Sequence, residues 1–336
     1  MRGKGWWLVA CAVLGVLMAL LGLALGSVAV PVGDLWEALN GKGHGAAVVI
    51  VRHIRLPGVI TAAAAGAGLA AAGLLMQTVF HNPLAGPGVL GISGGASLGV
   101  ALVMLARPLW ATLPWPVELL VAAAALAGAF AVLLLIMAAD RRVGDPVALL
   151  ILGLMVGYLC TALVGVLQAA GEANALKGFV LWGLGSFAGM ELHRLAWIVV
   201  PVIIGLAGAL VLVKPMNTLL LGDETARSMG VDVPRVRRTA IAITGLLAGV
   251  ITAFCGPVAF LGLAVPHVAR ALLRSADHRL LMPGTILLGA VVALACDLIV
   301  RLAPNGTSLP LNAVTSLMGA PVVLWVLLSG RKWNRR

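Results

Sequence analysis

The sequence predicts an all-α, polytopic membrane protein with ten transmembrane helices and both termini in the cytoplasm. Three observations predict it. Of 336 residues, 61% are hydrophobic and 10% are charged, with mean hydropathy +1.09. A soluble domain cannot hide that much apolar surface. Apolar runs approaching the roughly 20 residues a bilayer needs recur along the whole chain. Lys and Arg fall unevenly on the two sides that those runs define.

Taken in order, the first run is Trp6 to Val30. It is too long for a signal-peptide core and lacks a small-x-small exit, so it reads as a span. The ten expected spans are 6–30, 55–79, 90–106, 116–139, 146–169, 195–213, 238–254, 257–273, 282–303 and 311–330. The third and eighth are short, so those helices are expected to be broken or drawn inward, where protein surrounds their backbone. Pro31 to Val51 is read as extracytoplasmic with a short surface helix around Asp34 to Leu39. Ala173 to Gly185 is a second outer segment, too short to span, with Trp182 at an interface position. Thr61 to Gly73 is nearly all Ala and Gly, and Gly22 and Gly26 form a GxxxG. Small residues let helices approach closely, so both are read as packing surfaces within the bundle. No polar tract is long enough for a separate soluble domain, and residues 1–336 read as one membrane domain.

With the N-terminus inside, this topology puts seven basic residues outside: Lys42, Arg52, Arg55, Arg107, Lys177, Arg194 and Arg301. The other sixteen of the 23 lie inside, a bias that fixes the orientation. The net charge of +11 is this same bias and carries no expectation of nucleic-acid binding. Cys11, Cys160, Cys255 and Cys296 are scattered in apolar runs and read as buried thiols, with no metal or disulfide spacing.

One polar stretch interrupts the pattern between spans six and seven. Leu220 to Arg238 holds Asp223, Glu224 and Asp232 together with Arg227, Arg235, Arg237 and Arg238. Asp223 and Glu224 suit the first turn of a helix, where the dipole favours negative charge. Gly230 is placed to end that helix in a left-handed cap. Asp232 can cap a second helix with Pro234 in its first turn. A helix–glycine–helix this polar, in the cytoplasm, reads as a docking surface for another protein.

No enzyme constellation is present, so catalytic residues, bound metals and cofactors are not expected on this chain. There is no GxxxxGK[ST] nucleotide loop, and Gly86 to Gly95 joins two apolar helices with no preceding strand. His267 and the Asp277–His278 pair read as helix-end groups. Asp297 and Arg301 can pair at i,i+4 near the outer end of span nine, and Glu118 lies near the outer start of span four. No acid, Lys or Arg is expected near the centre of a span, whereas ion-coupled carriers usually need one. Energy is therefore expected from a separate ATPase bound to the docking stretch.

Seven segments now carry a resemblance. IRLPG (Ile54 to Gly58), HNPLAGPGVLGISGGASLG (His81 to Gly99), LWGLGSF (Leu181 to Phe187), LGDETARSMGV (Leu221 to Val231), GPVAFLGLAVPHVAR (Gly256 to Arg270), DHRLLMPG (Asp277 to Gly284) and LMGAPVVLWVLL (Leu317 to Leu328) occur in order. Over nearly its full length the chain resembles the FecCD/BtuC-type permeases of binding-protein-dependent ABC importers, which take up iron–siderophores, haem and cobalamin. The resemblance implies the type II importer permease fold in a bacterial or archaeal inner membrane. It implies a homodimer with two ATP-binding subunits, which hold the ATP and Mg, and a periplasmic or lipid-anchored binding protein. It implies that Asp223, Glu224, Arg227, Ser228 and Gly230 belong to coupling helices seated on the ATPase. It implies that Arg55 and Arg301, helped by Arg52, meet acidic residues of the binding protein. Gly58 departs from the family pattern, in which a second arginine often stands there. Asn82 and Leu84, with Pro146 and Val147, match the cytoplasmic gate. Tyr158, Thr161 and Gln168 on span five are the pathway candidates, with helix–helix hydrogen bonding as their alternative role. An iron chelate, siderophore or haem, stands first among the implied substrates and cobalamin second. An ion-coupled secondary carrier is the alternative from another class.

Overall fold

The computed structural model describes residues 5–26, 30–40, 45–106, 116–303 and 309–329. The basic residues of both termini, Lys42 and Arg107 therefore lie outside the described residues. Every described regular element is helical. The chain opens with α1 (Gly5–Ala24) and the short outer helix α2 (Val32–Leu39). Next, α3 (Ala46–Val49) runs through a π-helical turn, Ile50–Arg55, into α4 (Leu56–Val79). A 3-10 turn at Pro87–Leu90 leads into α5 (Ile92–Leu105). Then come α6 (Val117–Val143), α7 (Pro146–Ala170), the short α8 (Ala173–Gly183) and α9 (Ala196–Val211). The polar region holds α10 (Val213–Leu219) and α11 (Asp223–Ser228). The chain closes with α12 (Val233–Cys255), α13 (Leu261–Leu273), α14 (His278–Arg301) and α15 (Leu311–Ser329).

All ten expected spans fall on helices, and so do both expected outer segments, on α2 and α8. Among the described residues, seven helices are long and apolar enough to cross a bilayer. The apolar helices Ile92–Leu105, Leu261–Leu273 and Leu311–Val326 are shorter, as the first two are in the sequence reading.

The bundle is built around α4. Nearly every residue from Pro57 to Val79 is buried, which no other helix of this length matches. Helices α9, α12, α13 and α14 pack around it. Its Ala/Gly composition is the cause. Gly66 lies against the backbone of Gly289 in α14, and Gly73 against the backbone of Gly262 in α13. A side chain at either position would need to occupy a neighbouring helix's main chain. Lipid tails are as apolar as the side chains, so close van der Waals packing, not hydrophobic transfer, drives this association. A second group forms where α5 packs between α6 and α7, and α12 links it to α4. The GxxxG at the end of α1 serves the same packing: Gly22 faces Val59, and Gly26, just past the helix, faces the Arg55 side chain.

Three cysteines, Cys160, Cys255 and Cys296, are buried thiols as expected, and Cys11 is half-buried.

Replacing Gly66 or Gly73 with Val should separate α4 from its neighbours. Overpacking of this kind costs about 1–3 kcal/mol or more. Thermal unfolding in detergent should show a drop of several degrees for each, whereas Gly183→Ala, with open space beside it, should leave the midpoint unchanged.

Candidate functional site

The polar stretch folds as its punctuation dictates. Helix α11 begins with Asp223 and Glu224 in its first turn. It ends in a left-handed Gly230 (φ 84°), whose N–H donates to the Arg227 carbonyl while the Val231 N–H reaches back to Ala226. That pair of bonds is the Schellman closure, in which glycine avoids the cost of a Cβ. The Asp232 side chain then accepts from the Arg235 N–H at 3.0 Å and starts α12, with Pro234 in its first turn. Ala226 is buried and anchors the short helix, while Glu224, Arg227, Ser228 and Gly230 are exposed and Asp223 is half-buried. The Ser228 hydroxyl donates to the Glu224 carbonyl within the helix. Around this charged ridge Leu220, Leu221 and Met229 are also exposed. Sequence reading passed over them, although large apolar side chains inside a charged loop signal a surface meant to be covered.

Two of the arginines in that stretch turn inward. Arg237 is buried and donates from Nε to Asp140 of α6 at 2.6 Å, and the Arg238 Nε lies 3.7 Å from the other carboxylate oxygen. This buried pair pins the start of α12 to the end of α6. No short-range pattern announces it, because the partners are 97 residues apart.

Behind α11 lies a polar junction of α4, α10, α13 and α14. The Asn217 amide of α10 donates to Asp277 Oδ1 at 2.6 Å, and its oxygen accepts from the His278 backbone N–H at 2.7 Å. His278 is fully buried, with Nδ1 3.0 Å from the Asn217 oxygen and Nε2 2.9 Å from the Thr78 hydroxyl of α4. Asp277 caps α14; the Arg279 N–H and then the Asn217 amide hold its carboxyl below the usual range. Gln77 accepts from Arg270 at 2.6 Å and donates to the Leu263 carbonyl. Asp277 and His278 thus have the helix-end role expected of them, and His267 donates to the Pro83 carbonyl at 2.8 Å. Among the described residues no cluster of His, Cys, Asp or Glu could hold a metal ion.

The gate candidates sit at this same end. The Asn82 side chain accepts from the Leu84 N–H at 2.9 Å, which folds residues 82–84 into a tight turn and leaves Leu84 exposed. Pro146 and Val147 open α7, whose cap is Asp145, accepting from the Ala148 N–H at 2.7 Å, and Val147 is exposed. Helix α7 buries only Leu149, Gly153, Cys160 and Val164. Tyr158, Thr161 and Gln168 share one stripe at i, i+3 and i+10, which runs beside the buried face. Tyr158 is 62% exposed, Gln168 is half-buried, and the Thr161 hydroxyl donates back to the Gly157 carbonyl. The Tyr158 and Thr161 part of the stripe is exposed, and Gln168 borders the buried face.

At the opposite end, two arginines expected on the outer surface are folded inward. Arg55 is only 4% exposed and donates from one guanidinium nitrogen to the Leu23 carbonyl at 2.8 Å and the Ala24 carbonyl at 2.9 Å. It thereby satisfies the open carbonyls at the C-terminus of α1, where a cation also meets the negative end of the dipole. Arg301 pairs with Asp297 at 2.6 Å, as the i,i+4 spacing predicts, and approaches the Gly22 carbonyl at 3.5 Å. Its guanidinium lies over Gly58, in the space a side chain there would need. This is the physical counterpart of the glycine where the resemblance leads one to expect arginine. The surface location expected for Arg55 is thus corrected, and Arg301 is mostly enclosed. Arg52 remains exposed, next to an exposed His53.

Comparison with known proteins agrees with this architecture. The model of the FecCD transport family matches residues 13–329. The vitamin B12 import system permease protein BtuC of Shigella boydii is 36% identical over 97% of this chain and 96% of its own length. The protein of that name from Escherichia coli has the same identity and coverage, and that from Citrobacter koseri is 35% identical over 97% of this chain and 95% of its own. A solved metal-chelate-type ABC transporter in an inward-facing conformation superposes with a TM-score of 0.84 at 27% identity, covering 96% of this chain and 98% of that one.

Two substitutions test the structural reading of these arginines. Removing one partner of a buried ion pair costs about 3–5 kcal/mol, so Asp140→Leu or Arg237→Met should each lower the unfolding midpoint in detergent sharply. The double variant should recover much of the loss. Arg55→Ala should also destabilise, because it strips two carbonyls of a donor at roughly 1–3 kcal/mol each, whereas Arg52→Ala should not move the midpoint.

Proposed function

The chain belongs to the FecCD transport family of ABC import permeases, and we propose that it forms the membrane pathway of an ATP-driven importer whose cargo is vitamin B12. The observation that carries the cargo is the full-length likeness to vitamin B12 permeases at 36% identity. It favours cobalamin over the iron chelates that stand first in the sequence reading. An iron siderophore or haem is the second reading, supported by the likeness to a transporter of metal-chelate type.

In this mechanism two copies of the chain enclose a pathway, and two ATPase subunits lie beneath them with ATP and Mg. The ridge of half-buried Asp223 and exposed Glu224, Arg227 and Ser228, with its Gly230 bend and the apolar Leu221 and Met229, seats in the ATPase. Closure of the ATPase pair displaces α11, and the displacement shifts packed helices between two discrete arrangements. Asn82 and Leu84 at the end of α4, and Pro146 and Val147 at the start of α7, close the cytoplasmic end. The α7 stripe with Tyr158, Thr161 and Gln168 lines the route. That stripe carries no charge, which suits passage of a large chelate without tight holding. At the outer face a periplasmic or lipid-anchored binding protein docks by its acidic residues. Arg52 is an exposed cation for that contact, and its attraction is screened by salt. Among the described residues, no Asp, Glu, Lys or Arg lies in the middle third of a spanning helix, which favours ATP-driven over ion-coupled transport.

Replacing Asp223, Glu224 and Arg227 together with Ala should abolish co-purification of the ATPase and stop uptake; retained assembly and uptake would sink the coupling assignment. In cells carrying the complete importer, labelled cyanocobalamin should accumulate while haem and a ferric siderophore do not. Accumulation of an iron chelate alone would select the second reading.

A further inference from the structure

Helix α4 ends against expectation. Its last turn closes with the His81 N–H on the Thr78 carbonyl at 3.3 Å and the Asn82 N–H on the Gln77 carbonyl at 3.2 Å. This is the same closure that ends α11, and the residue at its turning point must be left-handed. In α11 that residue is Gly230; in α4 it is His81, at φ 45°. A non-glycine residue there carries a conformational cost, and strain of this kind persists where the surroundings over-determine it.

The surroundings supply a reason. The His81 Nε2 lies 3.0 Å from the Leu219 carbonyl. A carbonyl only accepts, so the imidazole donates. Leu219 is the last residue of α10, and the same carbonyl accepts the Gly222 N–H at 3.0 Å. That second bond forms the turn from which α11 starts at Asp223, with Gly222 at φ 96°. One oxygen therefore holds both the entry to α11 and the end of α4. On the other side of His81 the chain passes directly into the 82–84 turn, and the Pro83 carbonyl is held by His267 of α13.

We propose that His81 is the positioning residue that makes the 82–84 turn follow α11. This inference rests on the reading of α11 as the ATPase-docked helix and of Asn82 and Leu84 as the gate. A displacement of α11 reaches the Leu219 carbonyl through the short 220–222 turn. The imidazole then carries it to a residue adjacent in sequence to the gate. Glycine at 81 would relieve the strained backbone but drop the link. The histidine supplies the link that glycine lacks.

The test uses the complete importer, with its ATPase and binding protein, in proteoliposomes. His81→Gly removes the donor at a position whose backbone suits glycine, and His81→Gln returns an N–H donor of similar reach. The measured quantity is cargo moved per ATP hydrolysed. His81→Gly should assemble and hydrolyse ATP near the unsubstituted rate, while cargo per ATP falls about 5–10-fold, the lower end of typical coupling energies. His81→Gln should restore most of the ratio. An unchanged ratio in His81→Gly overturns the proposal, as does a parallel fall of hydrolysis and transport, or a His81→Gln variant no better than His81→Gly. Absence of ATP-dependent import by the unsubstituted complex would instead overturn the transport reading, and this inference with it.

Discussion

Gly66 and Gly289, and again Gly73 and Gly262, bring helix backbones into direct contact, and the arrangement of the other helices follows from that. A membrane helix gains little by hiding leucine from lipid, so the central helix of a bundle must gain stability from contact area. Helix α4 does so by being almost without side chains between Thr61 and Gly73. Four neighbours can then close upon it, and its backbone polar groups are satisfied within its own turns. The consequence is a rigid spine running from the outer arginines to the cytoplasmic turn at Asn82. Anything that moves the cytoplasmic end of α4 acts on a body that does not bend easily.

Charged side chains are kept to the two ends of that spine. Outside, Arg55 and Arg301 converge on the last carbonyls of α1, and Asp297 holds Arg301 in place. Inside, Asp140 with Arg237, and His278 with Asn217 and Thr78, tie separate helices into one surface. The middle of the described helices is left uncharged. Among the described residues no Asp, Glu, Lys or Arg lies in the middle third of a spanning helix, and α11 presents an exposed charged ridge. In the proposed importer the chemistry of energy conversion lies on the ATPase that docks there.

Much of this was legible in the sequence where the physics is local. Apolar run length located the helices, and Asp232 and Gly230 located the break between α11 and α12, because caps act over three or four residues. The i,i+4 spacing located the Asp297–Arg301 pair. What failed to show was long-range. Nothing near Arg55 says that the end of α1 lies within its reach, so its charge and its position in the chain read as surface. Arg237 looked like its exposed neighbours because Asp140 is far off in sequence. The exposure of Leu221 and Met229 could have been inferred, since they break the polarity of their loop. His81 left a weaker trace: the αL backbone was not predictable, but a helix ending on histidine where glycine is customary was open to notice. The likeness to vitamin B12 permeases favours cobalamin over the iron chelate placed first from the sequence, and no residue type in the uncharged α7 stripe distinguishes the two.

The central claim is that the chain supplies a pathway and no energy of its own. The most direct measurement is cargo import into vesicles carrying the permease, its ATPase and its binding protein, with ATP and the ion gradients set independently. The account predicts import that requires hydrolysable ATP and continues when protonophores and sodium ionophores collapse both gradients. Import that proceeds without ATP and stops on collapse of a gradient would contradict it.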